Sequence, residues 1–335
     1  MRIKDHFISK MQICILLTGA MFTLCGCRQH NELIVKFPKE YALRGKIVHE
    51  LDSMYSAYNV KFIAGRYIFA QRDSFFFSIY NQNFKKEGEL ARKGHGADEW
   101  IAPCATGQQV IKGGKQYFYV LERPIHKLFL LPLDKSAQPI LVEDFKQADG
   151  KDFRYVFKTT SDTFVGSLDN DDCDFFVFNR KKATFNAIEY KGLDISSLKG
   201  GVHLLSQNIA AYNEKFGKTA VAYFSFPILL IRDGDGNVVK EIKFGEQPQY
   251  TSENMDDAPL YVLDITCDDG NIYLLYDDPK HKDKMSILVF DWMGNPKERL
   301  WIKRSVAFTI NKNKILAINE DMKQGVCAEY SLTLK

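Results

Sequence analysis

From residue 59 onward the chain is written in short apolar runs of about five to eight residues, parted by polar pairs and triplets. Runs of that length, rich in Phe, Tyr, Val and Ile and bounded by turn residues, predict strands rather than helices. The runs come in pairs: SIYNQNFKKEGELA, LLPLDKSAQPILV, FVFNRKKATFNAI, LLIRDGDGNVVKEI and LVFDWMGNPKERLWI. In each, the first run stops at a turn-forming residue: Asn81, Asp134, Asn179, Asp233 or Asp291. Asp-Gly and Gly-Asn at such points tolerate positive φ, which tight hairpins need. A further run precedes each pair (RYIFAQ, QYFYVLE, DTFVGSL, KTAVAYF, GNIYLLY), and a first strand precedes that, starting near residues 59, 107, 153, 206 and 259. A sixth first strand starts near 305, so the intervals are 48, 46, 53, 53 and 46.

Four strands recurring at roughly 40 to 50 residues are the signature of a propeller blade. The reading is therefore all-β: a six-bladed β-propeller of four-stranded antiparallel blades. The sixth unit has only three runs, SVAFTI, KILAINE and CAEYSLTL, before the chain reaches Lys335. Its outer strand must come from the N-terminal side, from ELIVKF (32–37) or KIVHEL (46–51). Pairing the two ends closes the ring and removes an exposed sheet edge. The mixed segment 41–58 predicts a short helix around 49–55.

The first 26 residues have a different pattern. Arg2, Lys4 and Lys10 precede an apolar run over 11–24, shorter than the roughly 20 residues that span a bilayer. That is the layout of a secretory signal. It ends in Leu24-Cys25-Gly26-Cys27, which resembles the bacterial lipoprotein signal, with Cys25 where Ala, Ser or Thr is commoner. The resemblance implies cleavage before Cys27 and acylation of that residue, several chains being ample for stable anchoring. The expected organisation is signal peptide 1–26, tether and ring-closing strand 27–58, and propeller 59–335.

Charge narrows the partners. The whole chain carries +3. Loss of Arg2, Lys4 and Lys10 against Asp5 leaves about +1 after cleavage, without the concentrated basic face that nucleic acid requires. Besides Cys27 the mature chain holds Cys104, Cys173, Cys267 and Cys327, widely spaced and without a CxxC pair. Zinc is not expected, and isolated thiols are.

RKGHGADEWIAP (92–103) has a G-x-G-x-x-E spacing built on Gly94, Gly96 and Glu99, followed by Trp100 and Pro103. A dinucleotide-binding glycine motif must open a helix. Here Pro103, Gly107, Gly113 and Gly114 follow and no helical period begins, so the loop turns a corner between blades and no nucleotide is expected. With QYFYVLERPIHKLFLLPL after it, the phrase resembles that of NHL-type propellers. Together with the lipoprotein signal it resembles the six-bladed, TolB-like propeller lipoproteins of Bacteroidetes. Their usual form has Pro where this chain has Ala97, and Phe or Tyr where it has Trp100. The resemblance implies a fold and a location and brings no catalytic residues.

In a propeller the loops between second and third strands share one face with the inter-blade loops, and loops carry function. The second-to-third loops are 71–74, 122–127, 169–174, 224–227, 277–284 and 320–325. Several are dense in charge: Arg72 and Asp73, Arg123 and His126, Asp169, Asp171, Asp172 and Asp174, then Asp277, Asp278 and His281. These are the candidate binding residues. In LDNDDCD, Asp169, Asp171 and Asp174 are oxygen donors of the kind calcium takes. DGDGN (233–237) reads instead as a hairpin turn, because Val238 and Phe244 stand where a calcium loop needs Gly and Glu. No nucleophile, base or metal motif stands out, and the histidines are scattered singly. The leading expectation is a non-enzymatic propeller, lipid-anchored to the outer membrane on its periplasmic side. It would bind an envelope protein or a glycan through its loop face and its long inter-blade loops (91–106, 143–152, 191–205, 244–258). The alternative is a hydrolase or lyase acting on glycans or lactones.

Overall fold

The structure, a computed structural model, describes residues 35–332 except 97, 135–136, 147, 149, 171–172, 191, 194–204 and 252. Two short strands come first, β1 (Glu40–Ala42) and β2 (Lys46–Ile47). Blade 1 is β3 (Ala57–Ile63), β4 (Arg66–Gln71), β5 (Phe75–Tyr80) and β6 (Lys86–Arg92). Blade 2 is β7 (Pro103–Lys112), β8 (Lys115–Glu122), β9 (Lys127–Pro132) and β10 (Ile140–Asp144). Blade 3 is β11 (Phe153–Lys158), β12 (Thr163–Leu168), β13 (Phe175–Asn179) and β14 (Thr184–Ile188). Blade 4 is β15 (Asn208–Asn213), β16 (Lys218–Tyr223), β17 (Ile228–Arg232) and β18 (Val238–Lys243). Blade 5 is β19 (Val262–Cys267), β20 (Asn271–Tyr276), β21 (Lys284–Asp291) and β22 (Pro296–Lys303). Blade 6 begins with β23 (Ser305–Asn311), β24 (Lys314–Asn319) and β25 (Cys327–Ser331).

Each blade is an antiparallel meander, and the first strands of successive blades lie side by side around a ring that closes from β23 to β3. Blade 6 takes its outer strand from the N-terminal side. β2 pairs antiparallel with β25, Lys46 opposite Glu329 and Ile47 opposite Ala328. Of the two closing segments the sequence offered, 46–51 is the one used, with Lys46 and Ile47 in the ladder and the Val48 amide donating to the Cys327 carbonyl at 3.0 Å. Residues 35–37 form no strand; Val35 and Phe37 pack against the core between blades 4 and 5. Next along, β1 adds a fifth strand to blade 5, parallel to β22, which strand spacing alone did not suggest. The helix expected around 49–55 is a single 3-10 turn, His49–Leu51.

The long apolar runs follow from how blades stack. Among the described residues there are six apolar clusters, one for each blade interface. In β8, Tyr117, Tyr119 and Leu121 face blade 3, whereas Phe118 and Val120 face blade 1. Side chains alternate across a strand, but both faces are covered, so the period of two is hidden and the run reads as continuous. Fully burying a side chain such as Phe118 stabilises by about 1.5–3 kcal/mol. Outer strands have one open face and carry charge there, as in β18, where Val238–Glu241 is exposed.

Polar bonds join every neighbouring pair of blades. Arg66 Nη1 donates to Gln116 Oε1 at 2.8 Å, Gln108 Nε2 to the Lys158 carbonyl at 3.0 Å, and Asn208 Nδ2 to the Leu168 carbonyl at 3.1 Å. Asn213 Nδ2 donates to the Asp268 carbonyl at 3.0 Å, the Phe308 amide to Asp264 Oδ2 at 3.1 Å, and the Phe62 amide to Thr309 Oγ1 at 2.9 Å. Cys104, Cys173, Cys267 and Cys327 are joined by no disulfide.

Candidate functional site

The site is built by the N-terminal ends of the first strands. β3, β11, β19 and β23 each carry a register shift at their second residue, namely Tyr58, Arg154, Leu263 and Val306. A bulge leaves one residue unpaired and re-aims its side chain. Tyr58, Arg154 and Leu263 all line a cavity of about 460 Å³ at the mouth of the central channel. Five of the six blades contribute to it, and Arg72, Arg123 and Phe224 join from the second-to-third loops. Its size is that of a small-molecule pocket.

Its electrostatics are lopsided. Lys61, Arg72, Lys93, Arg123 and Arg154 line the cavity, with Asp264 as the acid among the lining residues. Asp169 lies behind two of the arginines, 3.0 Å from Arg154 Nη1 and 3.6 Å from Arg123 Nη2. Five cations less two carboxylates leave +3. Lys61 is spent on the wall itself. It reaches from blade 1 to Asp264 Oδ1 in blade 5 at 3.1 Å and to the Ile265 carbonyl at 3.0 Å, both side chains being buried. Asp264 also accepts from the Ile265 and Phe308 amides. Arg154 lies over the Phe224 ring at 5.0 Å and Arg72 over Tyr58 at 5.5 Å. Arg72 and Lys93 have no carboxylate partner among the described residues. Burial pushes the Cys104 thiol up, and pushes the Tyr155 hydroxyl well above its ordinary value.

The residues singled out in the sequence divide sharply. Arg72 and Arg123 meet at the mouth. His126 does not line it; it caps a 3-10 turn in the left-handed region (φ 53°) and packs edge-on against Phe153 at 5.2 Å. Asp174 turns inward between blades 3 and 4, accepting from Tyr223 Oη at 2.6 Å and Arg232 Nη2 at 2.8 Å. Asp171 and Asp172 lie outside the described residues. Asp169 and Asp174 are thus committed to different arginines, and no group of three or more metal-type side chains occurs among the described residues. Asp277 and His281 sit apart, around blades 5 and 6. Asp277 holds Arg304 through both oxygens at 3.0 and 2.7 Å, and His281 packs on Trp301.

Sequence reasoning missed Lys61, Arg154 and Asp264 because it looked for chemistry in loops. The signal was a charge set among apolar residues of a first strand: NVKFI, FRYVF and VLDITC.

Gly94, Gly96, Glu99, Trp100 and Pro103 form the expected corner between β6 and β7. Glu99 Oε2 accepts from the Gly96 amide at 2.9 Å, the Trp100 amide bonds to the Arg92 carbonyl at 2.8 Å, and the indole packs on Phe129 at 5.0 Å. A Cβ at Gly94 would overlap the Glu99 carboxyl. Beside this corner, between blades 1 and 2, is a cavity of about 530 Å³ lined by Trp100, Phe129 and Glu122. Glu122 Oε1 is engaged there by the Ile101 and Ala102 amides. DGDGN is a hairpin turn as expected, Asp233 Oδ1 accepting from the Asp235 and Asn237 amides with Gly236 at φ 86°.

No family model matches this chain, and no curated protein matches it in sequence. Solved structures share the fold. One is a member of the DUF4221 family from Bacteroides vulgatus, 10% identical, with a TM-score of 0.56 over 86% of this chain and 97% of that one. Another is a Bacteroides fragilis protein named only as a candidate for export, 8% identical, with a TM-score of 0.52 over 87% and 98% of the two chains. At such identity the likeness concerns the fold alone. No helix among the described residues is long and apolar enough to cross a membrane.

Proposed function

We propose that the protein is a binding module of the bacterial envelope, of the TolB-like lipoprotein kind, anchored by acylated Cys27 to the periplasmic side of the outer membrane. Its ligand, an envelope glycan or protein segment, enters the mouth of the channel. The observation that carries this reading is the cavity of about 460 Å³ to which five blades contribute side chains at the loop face. Ligand sites gather where separate elements converge on one concavity.

Binding is favoured over catalysis by the state of the reactive groups in the cavity. A nucleophile needs its thiol or hydroxyl pushed toward ionisation. Cys104 and Tyr155 are pushed the other way by burial. Lys61 and Asp264 spend their charges on each other and on backbone groups.

Two measurements test the reading. Metabolic labelling with an alkyne fatty acid should mark the wild type and not Cys27→Ser, which should also leave the membrane fraction. A ligand panel of envelope glycans should raise the thermal midpoint of residues 28–335 by mass action, and Ala102→Trp, at the cavity wall, should remove the shift. A ligand that shifts both proteins equally would place binding elsewhere.

A further inference from the structure

We infer that the channel mouth takes a small ring-bearing acid, a sugar or similar ring carrying a carboxylate, sulfate or phosphate, whose charge is held by Arg72, Arg123 and Arg154. This rests on the mouth being the binding site and adds the chemistry of what binds.

Three independent features point to an anion. The first is the uncompensated charge. The single carboxylate of Asp169 serves two guanidiniums, while Arg72 and Lys93 face the cavity without an acid among the described residues. The second is donor supply. A guanidinium presents five N–H groups. Arg154 spends Nη1 on Asp169, and Arg123 spends Nε on the Phe153 carbonyl at 3.3 Å. Nη2 of Arg154 and Nη1 of Arg123 have no protein partner among the described residues. Planar forks of this type match carboxylate, sulfate and phosphate oxygens in pairs. The third is preorganisation. Arg72 is stacked on Tyr58 and Arg154 on Phe224, and both Tyr58 and Arg154 are bulge residues that the inner strands turn into the mouth. Guanidiniums already ordered lose less entropy on binding.

The size and walls of the cavity argue for a small ring. The same cavity offers the Tyr58 ring, 39% exposed, and the partly buried Phe224 as flat apolar faces beside the charge. Arg154 and Arg123 keep 22% and 40% of their side-chain surface exposed, so they are reachable yet less screened than on an open surface.

The test is calorimetric titration of residues 28–335 with glucuronate, glucose 6-sulfate, glucose 6-phosphate and glucose, each at low and high sodium chloride. The expected result is that at least one acid binds once per chain, more weakly in high salt, while glucose does not bind. Arg72→Gln, Arg123→Gln and Arg154→Gln should each weaken it about tenfold or more, the scale of a lost hydrogen bond to a charged group. Arg304→Gln, at the blade 5–6 rim, should leave it unchanged. Arg72 is exposed and outside any ion pair among the described residues, so its variant tests the site without endangering the fold. The inference is overturned if no acid binds more tightly than glucose, or if the Arg72 and Arg154 variants bind as the wild type does. Should glucose or another neutral ring bind and Ala102→Trp abolish it, the mouth remains the binding site and only the anion assignment fails.

Discussion

Arg232 is the most informative residue to remove. Its side chain is 1% exposed and its Nη2 lies 2.8 Å from Asp174 Oδ2. Its Nη1 bonds the Gly236 carbonyl at 2.8 Å, and the guanidinium lies 4.9 Å from the centre of the Phe175 ring. Arg232→Met keeps most of the volume and removes the charge. Asp174 is then left between blades 3 and 4 with Tyr223 Oη as its remaining side-chain donor among the described residues. Breaking a buried pair from one side costs about 3–5 kcal/mol, because the surviving charge is stranded. At about 2 °C per kcal/mol for a chain of this size, the midpoint should fall by about 6–10 °C. The double variant Arg232→Met, Asp174→Leu should recover most of that loss, since replacing both partners by apolar groups removes the stranded charge. Thermal unfolding of residues 28–335 followed by circular dichroism, with calcium and with chelator, is the assay. A loss below about 1 kcal/mol, or a double variant no better than the single, would refute the pairing. A calcium-dependent rise in the wild type that Asp174→Asn abolishes would return Asp174 to the role of metal ligand.

The remaining predictions concern titration, thiols and closure. Burial raises the Glu122 carboxyl above its usual range, its bonds from the Ala102 and Ile101 amides opposing this only in part. A raised folded-state value means that Glu122 favours folding below the ordinary carboxylate pKa, an advantage lost as pH climbs through the folded value. Glu122→Gln should therefore unfold at a higher temperature than the wild type at pH 7 and at nearly the same temperature at pH 4; equal midpoints at both would contradict this. Burial pushes the Cys267 and Cys327 thiols up to about 12, so a thiol reagent at pH 7.5 should label them only after denaturant is added. Leu51 is fully buried between blades 6 and 1, and Leu51→Ala should cost about 2–5 kcal/mol. Deleting residues 35–51 should go further, exposing the β25 edge and giving aggregates by size exclusion.

The six-fold repeat, the turn positions and the corner at 94–103 were legible because they are local. Hairpin turns need particular residues wherever they occur, and a four-strand unit repeats its own spacing. The boundaries were close: the first strands were expected near 59, 107 and 153 and begin at Ala57, Pro103 and Phe153. The candidate site was half legible. Arg72 and Arg123 stand in loops that propeller topology gathers on one face. Lys61, Arg154 and Asp264 stand in strands, where a charge has meaning only once the partner is known, and Lys61 meets its partner 203 residues away.

By itself, then, the order of residues determined the alternation of strand and turn, the number of blades and the need for a closing strand from the N-terminal side. Tertiary structure decided which segment closes the ring, that β1 runs parallel along blade 5, and that neighbouring aspartates in one loop serve different partners. Asp169 faces the arginines of the mouth, whereas Asp174 is buried against Arg232. The physical reason is range. Backbone preference acts over a few residues, whereas a charge is stabilised by whatever donor the folded ring brings within about 3 Å.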